Sequence, residues 1–372
     1  MAESARSKAS GFLKQGSVLA LASILVRMIG MIYRIPMANI MQDEGNGIYS
    51  AAFEIYNILL IISSYGMPMA VSKMVSAKCA GGEYRSAYHI FNCSFVFSLF
   101  TGGLAALFVY FGADFLEEKF FSEYHGIAIP LRILAPTIFV VAIMGVFRGL
   151  FQGRKTMMPT AVSQILEQIV NAVVSVAAAW VLMRGHKGEE RQAAWGAAGG
   201  TMGTLFGALT ALVILFLIYL LYRPIMRKQM RRDRVSVKRS LKATYGLILA
   251  TVIPIILSQT VYQLSGIIDV TLFNGVMKAK HVENISTLLG IYSTKYRVLV
   301  SVPIAVSTAI ASSMIPGLVA SYMQRDMKDV REKIGIAVKF NMIIAFPSAM
   351  GLSVLAFPII RLLFPGADYR TG

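Results

Sequence analysis

Nine stretches of mostly apolar residues, each 24–31 long, dominate this 372-residue chain. They lie near 17–41, 47–72, 87–112, 127–150, 159–183, 195–222, 243–271, 285–315 and 334–357. A helix crosses the bilayer core with roughly 20 such residues. No alternating pattern long enough for a membrane barrel accompanies them. Composition agrees: 56% of residues are hydrophobic and 15% charged, against about 25% charged in a soluble domain. The sequence therefore predicts an all-α polytopic membrane protein and excludes a soluble enzyme. Prolines inside the spans (Pro36, Pro136, Pro254, Pro347 among them) fit, because neighbouring helices re-satisfy the freed backbone groups.

The net charge of +17 has a topological reading. With the N-terminus inside, the inner segments hold 22 Lys and Arg and the outer ones 8. The positive-inside rule then puts the N-terminus in the cytoplasm. The basic run from Arg223 to Lys242 is read as a topology anchor that touches anionic membrane lipids, not as a nucleic-acid site, since no folded module accompanies it. Segment 1–16 is polar and basic, and no small-residue cleavage site follows the first span, so that span is read as retained. Cys79 and Cys93 form no framework, and the four histidines no metal motif. No cofactor is expected.

Gly47-Ile48-Tyr49-Ser50 recurs as Gly290-Ile291-Tyr292-Ser293, 243 positions later. Each copy leads into an apolar helix with a proline, then a basic loop. We read two homologous halves, as in transporters whose substrate site lies between repeats. The expected organisation is a segment 1–16, a six-helix bundle 17–222, a basic linker 223–242, and the first three helices of a second bundle in 243–372. Asp368 to Gly372 reads as the start of an outer loop, so a truncated piece is expected.

Charges at membrane depth are functional candidates by default. Arg27 and Arg34, seven apart, share one face of span one. Lys295 and Arg297 lie about 200° apart around span eight, so only one of them faces a given cavity. Glu54 and Asn57 lie one turn apart in span two, Glu167 in span five, and Asp269 near the outer end of span seven. Depth alone pairs Arg34 with Glu54 and leaves Arg27 and the Lys295/Arg297 pair nearer mid-depth with few acids. Such cations suit a water-filled cavity that binds phosphate or pyrophosphate. Glu167, flanked by Gln164 and Gln168, has a coupling or a structural role. The Gly149 to Lys155 stretch is not a phosphate-binding loop: its spacing is one short and no strand precedes it. Gly196/Gly200 and Gly199/Gly203/Gly207 read as close helix packing.

Phe147-Arg148-Gly149-Leu150-Phe151-Gln152-Gly153, followed by Met158-Pro159-Thr160 and Gln164 to Gln168, resembles one transporter group. It is the polysaccharide-export branch of the MOP (multidrug/oligosaccharidyl-lipid/polysaccharide) flippase superfamily. Within that branch the stage V sporulation protein B and Gram-positive lipid II flippase group is the most similar. Gly66 to Lys73, the segment ending Ser313-Met314-Ile315-Pro316 and Phe357 to Phe364 fit the same group. The resemblance implies alternating access by two bundles, an inverted-V fold of about fourteen spans, and a lipid-linked sugar whose pyrophosphate meets cavity arginines. Arg27 and Arg34 match the first-span positions, Asn57 a polar cavity position, and Lys295 or Arg297 the eighth-span cation. Asn171, where relatives often carry arginine, is a departure that weakens an ionic role for span five.

The leading expectation is a flippase for a polyprenyl-pyrophosphate-linked peptidoglycan precursor or a related oligosaccharide. A multidrug antiporter of the same superfamily, and a non-transporting scaffold bound to cell-wall synthases, are the alternatives. An enzyme is not expected, since no catalytic constellation is found.

Overall fold

The computed structural model describes residues 2–121, 124–236, 240–282, 284–304, 307, 318, 321 and 326–364, the side chains of 2–21, 65, 120 and 262–267 excepted. Every element among them is a helix. Helix α1 (Ala2–Leu60) passes through a π turn, π1 (Ile61–Tyr65), into α2 (Met67–Ala80). Then come α3 (Tyr84–Phe120), α4 (Ala128–Gly153), α5 (Met158–Gly185), α6 (Gln192–Arg232) and α7 (Leu241–Ala279). Helix α8 (Ile285–Ile291) runs through a second π turn, π2 (Tyr292–Tyr296), into helical residues 297–304, and α9 (Met327–Leu363) follows.

Seven helical stretches are long and apolar enough to cross a membrane, with Ala22–Ala80 counting as one. That stretch holds both of the first two expected spans. It breaks at Gln42, whose backbone stands at φ 60°, ψ 179°, a region that costs a residue other than glycine on the order of 1–3 kcal/mol. Asn46 supports the break by donating from Nδ2 to the Ala38 carbonyl (2.9 Å) and the Gln42 carbonyl (2.5 Å). The two arms of α1 run side by side, with Tyr33 and Tyr49 buried in one cluster. Most of the second half of expected span eight, including Ser313 to Pro316, lies outside the described residues, as does Asp368 to Gly372.

Two apolar clusters fill the first bundle. Tyr33, Met41, Ile48 and Tyr49 of α1 pack with Leu131, Leu134 and Ile138 of α4. Further along, Val71 of α2, Phe91 of α3, Phe147 and Phe151 of α4 and Tyr219 of α6 form the other, which Ile248 and Val252 of α7 complete. Small residues set the closest approaches, as membrane helices require. A methyl group at Gly199 would lie 2.4 Å from the Ala179 amide nitrogen, one at Gly203 2.5 Å from the Asn171 carbonyl, and one at Gly207 2.7 Å from the Glu167 carbonyl. The expected glycine row is thus the seam between α6 and α5. Gly149 and Gly153 press on Val71 and Val75 of α2 in the same way, so this stretch is helix packing.

Helix α9 is different. The 243-residue offset places its Ala345, Ala349, Leu352 and Ala356 at the positions of Gly102, Ala106, Val109 and Ala113 in α3. In α3 this face is covered: Val109 and Ala113 are buried in the cluster with α4. In α9 the same face lines an open apolar groove of about 850 Å³ shared with Phe273, Tyr292 and Tyr296. One tether joins the end of α9 to α1, where Asn39 Nδ2 donates to the Leu363 carbonyl at 2.9 Å.

Candidate functional site

The two copies of the Gly-Ile-Tyr-Ser repeat meet face to face. A methyl group at Gly47 would lie 1.8 Å from the Ser286 carbonyl oxygen, and one at Gly290 would lie 1.8 Å from the Asp43 carbonyl oxygen. Asp43 and Ser286 are themselves 243 apart, so the two contacts exchange under a local twofold axis. Glycine is required at both positions because backbone touches backbone. Three residues further on, Ser50 Oγ donates to Ser293 Oγ at 2.7 Å. One turn beyond, Arg297 reaches Glu54 at 3.6 Å, and these too are equivalent positions. The spacing of 47, 50 and 54 keeps all three on one helix face. The result is a seam about 10 Å long between α1 and the 285–304 segment.

Lys295 stands beside this seam, buried, with Nζ donating to Asp43 Oδ2 at 2.9 Å. Both cations of span eight therefore find acids on α1. Sequence depth places Lys295 near mid-membrane without a partner; its flexible stem instead turns back toward the break at Gln42. A polar cavity of about 540 Å³ opens there, lined by Asn39, Gln42, Glu44 and Thr287 among others.

The partner that depth assigns to Glu54 also differs. Glu54 pairs with Arg297, whereas Arg34 is exposed and, among the described residues, makes no ion pair. Arg27 is likewise exposed. Their azimuth is informative. At about 100° per residue, both lie within about 60° of Gly30, which faces α5, and at least about 100° from the lipid-like face of Leu25, Met28 and Ile32. A methyl group at Gly30 would sit 3.2 Å from Gln168 Nε2, and Asn171 Nδ2 donates to Tyr33 Oη at 3.4 Å. The two arginines thus lie together on one side of the line where α1 packs on α5. Asn57 is half-buried, and Asp269 is exposed on α7 and belongs to none of these pairs.

Sequence reasoning missed Arg148, which stands at the inner edge of span four and reads there as one of the inner-segment charges. Helix α4 continues to Gly153, so Arg148 lies inside it and its Nη2 donates to Glu167 Oε2 at 2.6 Å and to Ser163 Oγ at 3.2 Å. Span five has an ionic partner after all, supplied by α4 instead of by position 171. The signal was present in the arginine of the Phe147 to Gly153 block, two helical turns before the α4–α5 connection. Other described ion pairs, such as Lys78 with Glu83, lie near helix ends.

The basic run is not a loop over its first half. Arg223 to Arg232 continue α6. Asp233 then accepts from the Arg85 amide (2.8 Å) and from the Val235 and Ser236 amides (2.9 Å each), fixing the start of α3 to the end of α6. These hydrogen bonds hold its carboxyl well below the usual carboxylate range.

Helical bundles seamed by glycine and facing each other across a twofold axis are the organisation of membrane transporters built from repeats. The fold is similar to a solved multidrug resistance MATE family transporter of the MOP superfamily in its outward-facing conformation, with a TM-score of 0.60 at 18% identity over 95% of this chain and 74% of the other. The chain belongs to the polysaccharide biosynthesis protein family, which it matches over residues 12–321. It is 26% identical over 363 residues to the lipid II flippase MurJ of Bacillus subtilis, covering 95% of this chain and 66% of that protein. It is 32% identical over 162 residues to stage V sporulation protein B of the same organism, covering 43% of this chain and 30% of the relative. The chain spans less than two thirds of the length of these relatives. The chain is thus a multi-pass membrane protein of the polysaccharide-export branch, as the 147–168 block implies. MurJ is named as a flippase, in keeping with the expectation of a non-enzyme.

Proposed function

We propose that the chain forms part of a flippase for a polyprenyl-pyrophosphate-linked oligosaccharide, with a lipid II-type peptidoglycan precursor as the leading substrate. One observation carries the reading: Arg27 and Arg34 stand on the rim of the α1–α5 contact, off the lipid-like face and without an ion-pair partner among the described residues. A cation at membrane depth without an anion is costly, and a diphosphate supplies one through charge-assisted hydrogen bonds. Arg297, exposed beyond Glu54, is the cation the second repeat offers to the same headgroup. Lys295 holds Asp43 and keeps the seam together; Asn57 adds a neutral polar contact. The name of the MurJ relative supports this substrate class.

In this reading the bundles 17–222 and 243 onward rock about the seam, with 223–242 joining them. The excess of basic residues in alternate connections supports a cytoplasmic N-terminus. Arg148–Glu167 keeps α4 and α5 together as the bundle moves.

Binding of a short-chain polyprenyl pyrophosphate to the purified chain in detergent tests the proposal. Arg27→Ala and Arg34→Ala are each expected to weaken it by roughly tenfold or more, the scale of one hydrogen bond to a charged group. Unchanged affinity in both variants would contradict a headgroup site at these arginines. Preferential binding of a lipophilic cation would favour a multidrug antiporter instead.

A further inference from the structure

The 41 residues of α6 give a rod of about 61 Å, twice the bilayer core of about 30 Å. Its last ten residues therefore project beyond the hydrocarbon. They do not project freely. Met226 is buried, Arg85 Nε donates to the Met230 carbonyl at 2.8 Å, and the Arg154 guanidinium hydrogen-bonds Gln229 and lies 5.1 Å over the Tyr222 ring. With Asp233 fastened to α3, the foot of α6 is held along one side.

The opposite side changes chemistry along its length. Phe216, Leu217 and Leu220 are exposed and apolar. Directly below, Arg223, Pro224, Arg227, Lys228 and Arg231 line an open cavity of about 570 Å³ that begins at Leu220. At about 100° per residue, Leu220, Arg227 and Arg231 fall within about 40° of one another, with Arg223 and Lys228 on the flanks. Pro224, inside the helix, removes an amide that the Leu220 carbonyl would otherwise accept from. Among the described residues none of these four cations has an acidic partner.

We propose that this face of α6 is a binding site for an anionic phospholipid: its phosphodiester lies between Arg227 and Arg231, and its acyl chains lie along Leu220, Leu217 and Phe216. The apolar and cationic parts share one helix face, in the order that a lipid spanning the hydrocarbon boundary requires. A soluble phosphate would use the cations and leave the apolar part idle; a nucleic acid would do the same. Because Arg85, Arg154 and Asp233 fix the helix, the bound lipid bears on the junctions of α3 and α4 with α6.

The test is thermal stability and native mass spectrometry of the purified chain with phosphatidylglycerol, phosphatidylcholine, inorganic phosphate or a short single-stranded RNA. Phosphatidylglycerol is expected to raise Tm and remain bound where phosphatidylcholine does not, and the effect is expected to fade with salt. Arg227→Gln/Arg231→Gln is expected to weaken that binding roughly 30-fold, on the scale of membrane attraction per basic residue; Arg227→Lys/Arg231→Lys is expected to restore most of it. Equal responses to the two lipids, measured on the unaltered chain, would overturn the proposal even if the variants failed to fold. So would undiminished binding to the glutamine variant, or an equal response to phosphate or to RNA.

Discussion

Ser50 and Ser293, equivalent positions of the two repeats, hydrogen-bond each other at 2.7 Å between hydroxyl oxygens. A side chain that meets its own counterpart marks the axis relating the halves, and it makes the closeness of the seam directly measurable.

Paired cysteines at these positions are expected to cross-link. With Cys79 and Cys93 replaced by serine, the Ser50→Cys/Ser293→Cys chain should form an internal disulfide under mild oxidation, because hydroxyls in contact put the Cβ atoms within disulfide reach. Adding Gly290→Ala should cut the yield at least tenfold, since the new methyl group overlaps the Asp43 carbonyl and interpenetrating backbones have nowhere to relax. Electrophoresis without reductant reads both. Full cross-linking in the alanine variant would mean that the seam is not built on backbone contact.

Exchanging the charges at Glu54 and Arg297 is expected to preserve their contact. Glu54→Gln and Arg297→Gln should each lower the seam cross-linking yield, whereas Glu54→Arg/Arg297→Glu should recover it. The pair is partly exposed, so a double-mutant cycle should give a coupling of about 0.5–1 kcal/mol. Strict additivity would show that the two charges do not interact.

Removing one partner of Arg148–Glu167 should be more damaging than removing both. These side chains are largely buried, so Arg148→Ala or Glu167→Ala leaves a lone charge between α4 and α5, at a cost of about 3 kcal/mol. Arg148→Met/Glu167→Leu should recover most of the lost melting temperature. If the double variant melts as low as the singles, packing rather than charge governs the site.

The Asp233 cap predicts a one-sided pH dependence. A depressed carboxyl contributes stability that is fully present above its unfolded pKa of about 3.9 and is lost as pH falls through the lower folded value. Hydrogen exchange at the start of α3 should therefore be equally protected from pH 5 to 8, once corrected for intrinsic rates, and should lose protection only in stronger acid. Asp233→Asn should expose these amides throughout. Protection lost already near pH 5 would place the controlling group elsewhere.

What the sequence conveyed, and what it did not, separates along one physical line. Apolar length and glycine spacing are one-dimensional quantities, so the span centres, the repeat and the α5–α6 seam could be read directly. Pairing of charges depends on rotation about each helix axis, which depth cannot supply. Arg34 and Glu54 share a depth, yet Glu54 turns to Arg297. Lys295 was misplaced because a long side chain is flexible enough to return toward a turn. Arg148 stands at the edge of a span, where a cation reads as an inner-segment charge, yet helix α4 continues past it to Gly153. The break at Gln42 had no residue signature, since glutamine is not a usual occupant of positive φ.

The asymmetry at Glu54 and Arg297 bears on what either half could build alone. In a dimer of identical subunits, a residue on the twofold axis meets a copy of itself. Ser50 with Ser293, and the reciprocal contacts of Gly47 and Gly290, obey that condition. Glutamate facing arginine does not: two copies of either half would set two like charges together at this point. The glycine and serine contacts fit a pairing of like halves, whereas the charge pair fits only the pairing of one half with the other.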